Sequence, residues 1–154
     1  MGGEGNIYLV DPHGGVPRKL EIDIRGNNTP SWSRDGKWIY FVNGEDAHHP
    51  TGWKVPSTGG HAVSITDGEV GNPIQSPDGY VYFIRQGRLW SVWTDSTVAE
   101  PVEGMPYVSP GEWTTVRTGI YFISFRGRSP GISYFDLATK ESQLVYVWEK
   151  PLPG

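Results

Sequence analysis

Glu45, Asp46, His48 and His49 fall within the ten-residue stretch Asn43-Gly-Glu-Asp-Ala-His-His-Pro-Thr-Gly52, between two strand-like runs. Loops on rigid scaffolds carry much of protein function, which makes this stretch the first candidate ligand-binding site. Carboxylates and imidazoles are also metal donors, but a bound ion needs three or four of them to converge. Neighbouring histidines on an extended chain point to opposite sides, so the loop would have to fold back and recruit Glu45 or Asp46 as a third donor. The chain has no His-x-x-x-His pair, and no metal and no cofactor is expected. His13 and His61 follow turn residues and are expected on the surface. Glu112 beside Trp113 is the second candidate, a carboxylate next to an indole that could face a channel.

Asp35 and Asp78 could be imagined as the carboxylate pair of a glycosidase. Each, however, precedes a glycine, as Asp35-Gly36 and Asp78-Gly79, and the two dipeptides stand 43 residues apart in matching contexts. Asp-Gly is favoured in two-residue hairpin turns, where the carboxylate accepts hydrogen bonds from turn amides. These four residues are therefore read as structural. The sialidase spacing S-x-D-x-G-x-x-W is not matched by Ser33-Arg-Asp-Gly-Lys-Trp38. Neither G-x-S-x-G nor S-x-x-K occurs, and both phosphate-loop patterns are missing, so no catalytic step is assigned to this chain. Asn27-Asn-Thr29 fits a glycosylation sequon, a pattern common by chance.

The turns belong to a repeat. Pro30-Ser-Trp-Ser-Arg-Asp-Gly-Lys-Trp-Ile-Tyr-Phe41 recurs as Pro73-Ile-Gln-Ser-Pro-Asp-Gly-Tyr-Val-Tyr-Phe83, and degraded as Glu112-Trp-Thr-Thr-Val-Arg-Thr-Gly-Ile-Tyr-Phe122. Between these anchors lie short strands, of which Trp53-Lys-Val-Pro-Ser-Thr-Gly-Gly60 shows the typical run into a small-residue turn. Strands are predicted near 30–33, 38–43, 52–56 and 61–65, then 73–75, 80–85, 88–93 and 98–102, then 112–117, 119–124, 132–136 and 142–147. Two more precede them, near 6–10 and 18–24. Leu20, Ile22 and Ile24 alternate with Glu21, Asp23 and Arg25, the pattern of a strand with one wet face. Trp38-Ile-Tyr-Phe-Val42 is apolar without alternation, as expected of a strand covered on both faces. Leu137–Leu144 contains good helix formers, but its place in the repeat makes it turn plus strand.

Repeats of about 40 residues with four strands each indicate β-propeller blades. The expected fold is all-β, a propeller of four-stranded antiparallel blades of which about three and a half are present. It is read as one partial domain over 1–154, with units at 1–29 (a half blade), 30–72, 73–111 and 112–154. The ring is then either part of a longer protein or completed by another copy, and open blade edges would favour self-association.

Composition agrees. The 154 residues include 21 Gly, 13 Pro, seven Trp and eight Tyr, with a formal charge of only −4, which suits frequent turns around an aromatic core and not disorder. The Trp residues fall at repeat positions and are expected to pack between blades, with Trp113 the exception. Zero Cys excludes disulfides, iron–sulfur clusters and thiolate nucleophiles. The acidic balance and lack of Lys/Arg runs argue against a nucleic-acid surface, and no apolar run reaches the roughly 18 residues of a membrane span. The first ten residues, MGGEGNIYLV, do not resemble a signal peptide.

Ser33-Arg-Asp-Gly-Lys-Trp-Ile-Tyr-Phe41 and Ser76-Pro-Asp-Gly-Tyr-Val-Tyr-Phe83 resemble the S-P-D-G-K-x-I-Y-F motif of TolB-like propellers, the WD40-like Pro-Asp repeat family. Arg34 replaces the usual Pro, Tyr80 replaces Lys, and the third copy lacks Asp-Gly. A weaker resemblance is to propeller regions of bacterial, acidobacterial-type sensor and regulator proteins. The resemblance implies a non-catalytic recognition or scaffold module for a protein, peptide or small ligand, located in the periplasm or outside the cell, with the cytoplasm as the other possibility. It leaves two alternatives: a propeller that gates substrate for a peptidase, other hydrolase or carbohydrate-active enzyme whose catalytic part lies elsewhere, and a sensory extension of a transcription regulator or kinase.

Overall fold

The computed structural model describes residues 5–126 and 129–148, which contain fourteen β-strands and no helix. Strands β1 (Tyr8–Leu9) and β2 (Arg18–Lys19) form a two-stranded ribbon. The first blade comprises β3 (Asn27–Trp32), β4 (Trp38–Asn43), β5 (Thr51–Pro56) and β6 (Val63–Glu69). The second comprises β7 (Gly71–Gln75), β8 (Tyr80–Arg85), β9 (Arg88–Trp93) and β10 (Ala99–Pro101). The third comprises β11 (Trp113–Val116), β12 (Gly119–Arg126), β13 (Ser129–Asp136) and β14 (Ser142–Val147). Each blade is an antiparallel meander with its strands in chain order. The architecture is a partial all-β propeller, three blades preceded by a half blade.

Burial explains the stacking. Ile7 and Leu20 of the ribbon pack with Ile39, Phe41 and Val55 of the first blade. On the other side of that blade, Tyr40, Ile65 and Val70 meet Val81, Phe83 and Val92. Tyr82, Ile84 and Leu89 then meet Ile120, Phe122 and Phe135 of the third blade. Central strands β4 and β8 are thus covered on both faces, as their unbroken apolar runs predict. Phe41 and Phe83 are wholly buried, each worth about 1.5–3 kcal/mol of apolar transfer. Arg85 staples blades together: it donates to the carbonyls of Asp67 and Glu69 while its guanidinium lies 4.7 Å from the Trp90 ring.

The structure departs from the sequence reading in several places. The Asp-Gly turns are not two-residue hairpins. Ser76 N–H donates to Tyr80 C=O across Pro77-Asp78-Gly79, and Ser33 N–H donates to Trp38 C=O across four residues. Only the glycines take positive φ, 70° at Gly36 and 95° at Gly79, whereas a type I′ turn requires it at both central residues. Strand β2 is much shorter than 18–24, because after Lys19 the chain leaves the ribbon and bridges Gly60 through Ile22. Its alternation survives: Leu20 is buried and Glu21, Asp23 and Arg25 are exposed. Leu137–Lys140 is a turn, closed by Asp136, whose Oδ1 accepts from the amides of Ala138 and Thr139. Not all the tryptophans are core: Trp32 is 54% and Trp93 45% exposed. Trp113, expected to face a channel, is the buried one, at 6% exposure.

Candidate functional site

The first strands of the three blades lie side by side, with β7 packed against both β3 and β11. Ladder partners align them. Ser31 pairs with Tyr40, Ile74 with Tyr82 and Thr114 with Tyr121, so Pro30, Pro73 and Trp113 hold one position and Thr29, Asn72 and Glu112 the position before it. In the first two blades a register shift falls at this point. Proline has no N–H for the ladder and disfavours helical backbone at the preceding residue. Thr29 and Asn72 instead take left-handed conformations, at φ 45° and 48°, rare for a β-branched residue such as Thr. The third blade pairs without a break from Trp113 to Val116.

Thr29, Pro30, Ser31, Asn72, Pro73 and Trp113 wall a cavity of about 230 Å³ along these inner strands. Ser31 Oγ donates to the Pro73 carbonyl and ties two blades together there. The Trp113 ring packs in the core between the second and third blades, yet its indole Nε1 has no hydrogen-bond partner, and neither has Thr115 Oγ1 two residues on. An unmade buried hydrogen bond costs about 1–3 kcal/mol, and left-handed non-glycine backbone is a further strain. Orphaned donor, strained backbone and cavity coincide at this wall. Trp113 and Glu112 also line a second, largely apolar cavity of about 260 Å³ with Thr114, Tyr121, Ile123 and Ile132. The Thr29-Pro30 and Asn72-Pro73 pairs, which the motif reading passed over, were visible at the repeat spacing of 43 residues.

The Glu45–His49 loop is self-contained and exposed. Asp46 accepts from the His48 amide and from His49 Nδ1, both at 2.9 Å, while the Glu45 amide donates to Asn43 Oδ1. The His49 contact holds the Asp46 carboxyl below its usual range, and Asp46 in turn raises His49. No three His, Asp or Glu side chains converge on a metal position among the described residues. Neither cavity lined by Trp113 includes a residue of this loop.

Asp35 and Asp78 each serve their own turn. Asp35 Oδ1 accepts from Ser33 Oγ at 2.7 Å and from the Lys37 amide, which lowers its pKa. Asp78 accepts from the Tyr80 amide and, through Oδ2, from Tyr82 Oη, both at 3.0 Å. Burial pushes the Tyr82 phenol up, and the Asp78 carboxylate adds to the effect. Asp78 also borders a cavity of about 400 Å³ with Glu100, Glu103 and Lys140 between the second and third blades.

No family model matches the chain. Part of it is similar to an uncharacterized protein of Agrobacterium fabrum, 36% identical over 76 residues, which is 48% of this chain and 26% of the relative. TolB from Acinetobacter baumannii superposes on 90% of this chain with a TM-score of 0.70 and 20% identity. A chain of a nidogen/laminin complex covers 80% at TM-score 0.58 and 16% identity. An oligogalacturonate lyase in complex with manganese covers 93% at TM-score 0.50 and 15% identity. The chain spans 37% of the TolB chain, 49% of the nidogen/laminin chain and 59% of the lyase. At these identities the likeness is one of fold.

Proposed function

We propose, from the TolB-like β-propeller fold of this chain, that it is a non-catalytic recognition module that holds a peptide or protein segment against the wall formed by β3, β7 and β11. The carrying observation is the buried, unpartnered indole N–H of Trp113 beside the inner-strand cavity. A backbone carbonyl of an extended peptide is the complementary acceptor, and the exposed Pro30 offers apolar surface to its side chains. Glu112, beside that ring, adds a preference for a basic residue in the peptide. The periplasm or the cell exterior suits such a module, and among the described residues no helix is long and apolar enough to cross a membrane.

A substrate-gating role beside a hydrolase draws on fold alone, and a fold does not carry an activity with it. The test is a peptide-display selection against the chain, followed by titration of the enriched peptides. Trp113→Phe keeps an aromatic side chain but removes the N–H with the pyrrole half of the indole, and is expected to weaken binding about tenfold, the loss of one buried hydrogen bond of about 1.4 kcal/mol. Peptides bound equally well by Trp113→Phe and Glu112→Gln would place recognition elsewhere, with the Glu45–His49 loop the next surface to vary.

A further inference from the structure

Lys54 reaches from the first blade across to the second. Its Nζ donates to the Thr94 carbonyl at 3.0 Å and stands 5.1 Å from the centre of the Trp38 ring, so an aromatic face and a carbonyl together hold one ammonium in the groove between these blades. Ladder register carries each part of this arrangement to the groove between the second and third blades. Tyr40 pairs with Lys54, and Tyr82 with Ser91. Tyr80 therefore stands where Trp38 does. Trp93 pairs with Tyr80 and Asp136 with Gly119, which puts Leu137 in the place of Thr94.

The second groove thus keeps the aromatic ring and the carbonyl position but has a short serine in place of the lysine. There the cavity of about 400 Å³ opens, and Tyr80, Tyr82, Ser91 and Leu137 all line it. The charge changes as well. Ser91 pairs with Glu100, whereas Lys54 pairs with Val63. With Asp78 and Glu103, Glu100 brings three carboxylates to the lining against one ammonium, that of Lys140. Among the described residues Glu100 and Glu103 have no ion pair.

We infer that this cavity binds a primary alkylammonium ion, whose charged end takes the place that Lys54 Nζ holds in the neighbouring groove. The Tyr80 ring and the Leu137 carbonyl supply the contacts that Trp38 and Thr94 make there, and the surplus of carboxylates favours a ligand with a second ammonium. The site shares no residue with the cavity along β3, β7 and β11, so binding at one does not require binding at the other.

Butylamine, which has the stem and charge of a lysine side chain, is the probe. Followed by amide NMR on the full chain, it is expected to shift Ser91, Glu100 and Leu137 at millimolar concentration, and putrescine to do so at a lower one. Butanol, its uncharged analogue, should shift none of them. Nα-acetyl-lysine amide separates the sources: binding as tight as that of butylamine means that the lysine side chain of a partner is admitted, and its exclusion means that the ligand is a small free amine. Ser91→Lys is expected to seat its own ammonium in the cavity, as Lys54 does, and to abolish butylamine binding without loss of thermal stability. Glu100→Gln and Glu103→Gln should each weaken binding about two- to fivefold, the range of a partly exposed charge pair. Equal shifts with butanol, undiminished binding by Ser91→Lys, or no response of these amides to either amine would each overturn the inference.

Discussion

Asp46 and His49 stabilise each other's charged forms, so their contact is a pH-bounded device at the tip of an exposed loop. The raised His49 contributes stability that is present below its ordinary pKa of about 6.5 and lost as pH rises through the raised value. The lowered Asp46 contributes above its ordinary value of about 3.9, and that share is lost as pH falls through the lowered one. The loop should be stiffest between roughly pH 4 and 6.5. Asp46→Asn is expected to bring the His49 midpoint back toward the ordinary value in a proton NMR titration; an unmoved midpoint would mean that the contact is absent in solution. A second residue-scale expectation concerns Gly119, where an added Cβ would stand 2.2 Å from the Phe135 carbonyl and 2.5 Å from the Tyr134 ring. Gly119→Ala should therefore cost about 1–3 kcal/mol of overpacking in urea melts; by ladder register this glycine stands where the second blade has Tyr80. The special status of Trp113 was legible as a break in the repeat, but its burial was not. Whether a side chain on an inner strand meets a channel or a neighbouring sheet depends on which face alternation assigns it, and the bulges at Thr29 and Asn72 move that assignment by a residue.

Among the elements, the half blade is the least securely held. Its two strands have two residues each, too few to be stable as a hairpin alone. Past the ribbon, Asp23 accepts from the Ala62 amide at 2.9 Å and from His61 Nδ1, while the Gly60 amide donates to Glu21 C=O. The Ala62 and His61 contacts lower the Asp23 pKa, so their contribution is present above about pH 4 and is lost as the pH falls through the lowered value. Asp23→Ala should speed amide exchange at Leu20 and Gly60 while leaving Val81 and Phe83 unchanged. Equal acceleration throughout would mean that the half blade and the blades open together. The strands of the full blades were readable because their apolar runs and repeat spacing point to one answer. The end of β2 was not, since the alternation of Leu20, Ile22 and Ile24 continues after hydrogen bonding to β1 has stopped. Turn type was misread for a related reason: Asp-Gly suits several hairpin loops, and the number of residues between the closing pair decides among them.

At the scale of the whole molecule, each apolar cluster joins a unit to its neighbour in the stack, so stability is approximately a sum of unit and interface contributions. Phe83 sits wholly buried between the first and second blades, and Phe83→Ala should destabilise by about 3–5 kcal/mol. The third blade meets the second through a separate cluster centred on Ile120, Phe122 and Phe135, which that truncation leaves intact. Native-state hydrogen exchange tests whether the stack behaves this way, because cooperative units open at their own free energies. Amides of β4 and β8, covered on both faces, should be the slowest. Those of β14, whose side chains from Ser142 to Tyr146 are all exposed, should be among the fastest. In Phe83→Ala the accelerated amides should centre on the first two blades and fade toward the third. A uniform acceleration would instead show that three blades and a ribbon fold as one unit, and the truncation would then report global stability and not an interface.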